Sequence, residues 1–75
     1  MTDQFIARFA EALETDAAAL DAGTEFKTLA NWDSLAALSV IAMIDEYYGA
    51  SIGGDDLERA RTLDELRQAV AAKAA

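Results

Sequence analysis

Ser34 stands between Asp33 and Leu35 in a chain of 75 residues that contains no histidine and no cysteine. A serine hydroxyl becomes a nucleophile within its own protein when a neighbouring base takes its proton. The commonest such base is missing here, and Trp32-Asp33-Ser34-Leu35 lacks the glycines of a nucleophile elbow. Ser34 is therefore not a triad serine. The acidic pairs Asp55-Asp56 and Asp64-Glu65 could be imagined as an acid and a base, but adjacent carboxylates at helix starts ordinarily complement the helix dipole. The stretch around Asp55 also lacks the ordered oxygen ligands and closing glutamate of an EF-hand. Without cysteine there is no zinc-thiolate site, disulfide framework or thiol nucleophile. The chain is not expected to be an enzyme.

The composition describes the scaffold that must position these residues. Six basic and fourteen acidic residues give a formal net charge of −8, which repels phosphate backbones and argues against nucleic acid as a partner. Hydrophobic residues make up 53% of the chain, but eighteen of them are alanine, so the core must come from few large side chains. Alanine favours helix and no proline interrupts it. The N-terminus has no basic segment, and no apolar run approaches the roughly 18 residues of a membrane span. A monomer with a cytoplasmic address is expected.

Phe5, Ile6, Phe9 and Leu13 make the apolar face of a first amphipathic helix, with Thr2 as its N-cap and Asp3 in its first turn. From Thr15 to Trp32 the pattern breaks into a long loop with one or two short helical turns, pinned by Leu20, Phe26 and Leu29. Asp33 or Ser34 caps a central helix that ends at Gly49. At about 100° per residue its buried side is expected to hold Leu38, Val40, Ile41, Met43, Ile44, Tyr47 and Tyr48. Leu35, Ser39, Ala42 and Glu46 then form the wet stripe. Gly53-Gly54 turns the chain into a short helix over 55–60. Thr62-Leu63-Asp64-Glu65 is a capping box opening a last helix, with Leu63, Leu66 and Val70 buried and Ala71 to Ala75 frayed. The expected fold is all-α, a small four-helix bundle with a long first loop and a short third helix, forming a single domain over residues 1–75.

Asp33-Ser34-Leu35 at the start of a central helix resembles the attachment site of the acyl carrier proteins. The resemblance extends over nearly the whole chain. Leu20-Asp21-Ala22-Gly23-Thr24-Glu25-Phe26 is similar to the family's loop anchor, and Leu29-Ala30-Asn31-Trp32 leads into the serine. Asp45-Glu46-Tyr47-Tyr48 resembles its acidic-then-aromatic helix end, Ile52 to Leu57 its short third helix, and Thr62 to Glu65 the opening of its fourth. The resemblance implies that Ser34 is esterified with 4′-phosphopantetheine from coenzyme A by a separate, magnesium-using phosphopantetheinyl transferase. Asp33 would contact that transferase or its metal. The arm would supply the thiol that a cysteine-free chain lacks, and carry an acyl group between acyl-transferring or synthase enzymes.

On the same grounds Leu35, Ser39, Ala42, Asp45 and Glu46 would meet partner enzymes, while Leu38, Ile41, Ile44 and Tyr48 would form core able to part around an acyl chain. Trp32 would anchor the loop or shield the arm. The sequence departs from the family where Ala36, Ala37, Ser39 and Ala42 replace acidic residues common in the central helix, which implies weaker charge steering and a specialised carrier with dedicated partners. Gly53-Gly54 replaces a stiffer turn. The absence of linkers suggests a free-standing protein. A peptidyl carrier, or an acidic helical domain that docks partners without any covalent arm, are the alternatives.

Overall fold

Four α-helices account for the regular structure of the computed structural model, which describes residues 4–74. They are α1 (Gln4–Leu13), α2 (Ser34–Tyr48), α3 (Gly54–Arg59) and α4 (Leu63–Lys73), with single 3₁₀ turns at Ala17–Ala19 and Phe26–Thr28 in the long first loop. No strand occurs among the described residues. Thr2 and Asp3, expected at the start of the first helix, lie outside them.

Aromatic rings join α1 to the loop and to α2, and aliphatic side chains fill the rest of the core. Phe5, Phe9, Ala10 and Leu13 are the buried face of α1. Phe9 lies edge-on to Phe26, with ring centroids 5.5 Å apart, and parallel to Trp32 at 6.2 Å, while Phe5 packs against Tyr48 at 5.8 Å. Val40, Ile44, Leu63 and Leu66 close the core from α2 and α4. No polar or charged residue is buried among the described residues.

No glycine marks the end of α1. Glu14 takes the left-handed conformation instead, at φ 56°, and Thr15 N–H closes the turn onto the Ala10 carbonyl at 2.9 Å. The loop beyond is pinned as expected, with Leu20 and Phe26 buried and Leu29 half-buried. It also supplies acceptors to the start of α4. Leu63 N–H donates to the Thr24 carbonyl and Asp64 N–H to that of Ala22, both at 3.0 Å. Thr62 Oγ accepts from Glu65 N–H at 3.2 Å, and Glu65 Oε1 accepts from the N–H groups of Thr62 and Arg61. The capping box is therefore formed, and the donors at this helix start have partners.

Three expectations need correction. The helix end was expected to fray from Ala71, but α4 continues through Lys73. Burial of Val70 and an ion pair from Lys73 Nζ to Asp56 Oδ2, at 3.1 Å, hold its last turn to the start of α3. Leu38, expected in the core, is 62% exposed. Ala36, Val40, Met43 and Ile44 define the buried side of α2, and at about 100° per residue Leu38 falls on roughly the opposite side. Tyr47 also leaves the expected core. It is 49% exposed, with the Arg8 guanidinium 3.8 Å above its ring. Ile44 is fully buried, and Ile41 and Tyr48 are half-buried against the core.

Candidate functional site

Ser34 is the first residue of α2 and is exposed. The residue before it does the capping. Asp33 is extended, and its Oδ1 accepts from Ala36 N–H at 2.8 Å while its carbonyl accepts from Ala37 N–H at 2.9 Å. The Ser34 hydroxyl is thus not consumed by the cap. The N–H groups of Ser34 and Leu35 take no acceptor among the described residues, unlike the corresponding groups of α4. At the positive end of the helix dipole these donors favour an anionic group.

Trp32, two residues upstream, is half-buried. Its N–H donates to the Leu29 carbonyl at 3.0 Å, and its indole stacks on Phe9 and meets Phe26 edge-on at 5.1 Å. Of the two roles weighed for it, the geometry supports the anchor. Asn31 Nδ2 donates to the Leu13 carbonyl at 2.8 Å, joining the approach to α2 to the end of α1. Asn31 had no signal in the sequence, because its partner lies 18 residues away and is a backbone atom.

Beyond Ser34 an apolar face opens along α2. Leu35 is 72% exposed, and Leu38, one turn on, joins it rather than the core. Ala42, Asp45 and Glu46 continue the exposed side, whereas Ser39 is half-buried in a shallow groove with Arg8, Met43 and Tyr47. Four of the five residues expected to meet partners are therefore exposed. Leu38 was missed because α2 carries apolar residues around most of its circumference, so residue type alone did not select the inner face.

Three of the four carboxylates that could be imagined as acid and base, Asp56, Asp64 and Glu65, have other occupations. Asp56 Oδ2 accepts from Gly53 N–H at 3.0 Å and from Lys73. The Gly53 bond first, then the bond from Lys73, with the charges of Lys73 and Arg59 adding to them, hold its carboxyl below the usual range against an opposing effect of burial. Bonds from Arg67 and Gln68 lower Asp64 in the same way. A general acid working near neutrality needs the opposite shift. A depressed carboxylate stabilises the fold above its unfolded-state value and loses that contribution as pH falls through the lower folded value. Asp56→Asn is therefore expected to unfold at lower urea than the wild type at pH 7, with the gap closing below about pH 4, where the unfolded carboxyl takes its proton. Urea titrations at pH 7 and pH 3 would check this, and an equal gap at both would exclude the ionic role.

A family model described as a phosphopantetheine attachment site matches residues 3–70. The chain belongs to that family. No curated protein and no solved structure gave a significant match. The family's cofactor is covalently attached 4′-phosphopantetheine, and the chain is a phosphopantetheine carrier domain. Carrier domains of this kind are not themselves catalytic, and they work with a phosphopantetheinyl transferase and with synthase enzymes. The described residues fit the group: Ser34 offers an exposed hydroxyl, and the neighbouring N–H groups suit a phosphodiester. The arm, when bound, supplies a thiol on which cargo is held as a thioester. No helix of the carrier domain is long and apolar enough to cross a membrane among the described residues.

Proposed function

We propose that Ser34 is the residue that receives the arm, and that the chain is an acyl carrier shuttling thioester-bound acyl groups between enzymes of lipid or secondary-metabolite biosynthesis. The observation that carries the assignment is the exposed Ser34 hydroxyl at the first position of α2, left uncommitted because Asp33 makes the cap. The serine oxygen forms the new bond to the phosphorus of the pantetheine phosphate in coenzyme A, the hydroxyl proton passes to the transferase, and the nucleotide portion leaves. Asp33, the residue before Ser34, serves as a contact for the transferase or its metal. Incubation with a phosphopantetheinyl transferase, magnesium and coenzyme A is expected to add the mass of one phosphopantetheine. No gain with several transferases would overturn the assignment.

The partner face is Leu35, Leu38, Ala42, Asp45 and Glu46. It opens with two exposed leucines and small residues, and its acids come only in the later turns. Steering by opposite charge raises association rates by about 10- to 1,000-fold where it operates, and this face has little charge nearest Ser34. The carrier is therefore a specialised one whose partners recognise apolar surface. A housekeeping fatty-acid synthase is expected to use the loaded carrier at least about tenfold less efficiently than its own, within the range that steering supplies. Equal use in a steady-state assay would count against specialisation.

A further inference from the structure

Ser34 is exposed at the first residue of α2, so its orientation depends on how the chain leading into that helix is held. Two sets of contacts fix that chain. Asp33 ties it to α2, through the 2.8 Å bond to Ala36 N–H. Trp32 and Asn31 tie it to α1. The indole lies parallel to the fully buried ring of Phe9, with an interplanar angle of 6°, and edge-on to the fully buried Phe26, while Asn31 binds the Leu13 carbonyl. The residues between Leu29 and Ser34 have no helical ladder to stiffen them.

We infer that Trp32, seconded by Asn31, is a positioning residue for loading: it clamps the approach to Ser34 onto α1, so that the hydroxyl meets the transferase in one orientation. This rests on the reading of Ser34 as the attachment residue. A transfer reaction needs its attacking oxygen about 3–3.5 Å from the phosphorus and aligned with it, and a misplacement of about 1 Å can cost 100-fold in rate. Docking contacts farther along α2 do not depend on the clamp. Loosening it therefore lowers turnover more than it weakens recognition.

The test is steady-state loading by a phosphopantetheinyl transferase with coenzyme A, read by intact mass, on the full chain. Trp32→Ala is expected to lower kcat about tenfold with KM changed less than about twofold, a fraction of the range open to misplacement. Trp32→Phe, which keeps a ring for Phe9 to stack on, is expected to restore most of the rate. Val70→Ala, which destabilises the fold from α4 away from the site, serves as the control and is expected to load at the wild-type kcat. Wild-type kcat in a helical Trp32→Ala carrier would overturn the inference, as would an equal loss in Val70→Ala. If Trp32→Ala does not fold, Asn31→Ala decides, with about a threefold loss of kcat expected on the same geometric grounds and an unchanged kcat overturning the clamp. Failure of the wild type to gain mass would instead remove the assignment of Ser34 and the clamp with it.

Discussion

Ser34→Ala is expected to leave the helical structure intact while abolishing the gain of one phosphopantetheine. Both halves follow from the position of the serine. At the first residue of α2 the N-cap is already made by Asp33, so removing the hydroxyl breaks no cap. Alanine is the best helix former, by about half a kcal/mol over serine in a helix interior. The variant should therefore unfold within about 0.5 kcal/mol of the wild type, the usual range for a surface substitution. Loading, in contrast, has no partial substitute at this position, because the new bond is made by the deleted oxygen. Intact mass after incubation with transferase and coenzyme A reads one result, and circular dichroism with a urea titration reads the other. A variant that still gained the mass would move the attachment to another hydroxyl. Ser51 is exposed but lies in the loop before α3, and Ser39 is half-buried within α2, so neither has the open helix start that Ser34 has.

The site was legible in the sequence where local rules act. Asp33 as a cap, Gly49 as the left-handed stop of α2 at φ 64°, and the Thr62–Glu65 box each depend on residues within a few positions. Asp33-Ser34-Leu35 sits on such a signal, so its place at a helix start is readable from neighbouring residues alone. The failures were of a different kind. Leu38 went to the wrong side because α2 has apolar residues around most of its surface, and the choice of inner face is made by α1 and the loop. Lys73 holds the end of α4 through Asp56, a partner 17 residues away, and no periodicity announces that pair. Glu14 ends α1 in a conformation for which glycine would have been the readable signal. The Trp32 and Asn31 contacts are equally non-local. Trp32 was readable as an anchor or a shield of the arm but not which rings it would meet, and Asn31 gave no signal at all.

Phe9→Ala is expected to have the largest effect on stability. Phe9 is fully buried and meets Phe5, Phe26 and Trp32, so one ring joins α1 to the loop and to the approach of Ser34. Truncating a buried phenylalanine costs about 3–5 kcal/mol, through lost burial and the cavity left behind. A domain of this length has about 4–11 kcal/mol in all, at about 0.05–0.15 kcal/mol per residue. The core offers little to compensate, since four of its residues, Ala10, Ala36, Ala50 and Ala60, are too small to fill the space of a ring. At about 4–8 °C per kcal/mol for a chain of this size, the midpoint of thermal unfolding should fall by at least about 12 °C. A fall of less than about 4 °C, equivalent to under 1 kcal/mol, would show that Phe26 and Trp32 close over the cavity unaided. Phe9→Ala also removes the ring on which the indole rests, so on the clamp reading its loading should stay below the wild-type kcat even in the cold, where the variant is folded. Trp32→Ala remains the substitution that reads the clamp with the smaller loss of stability.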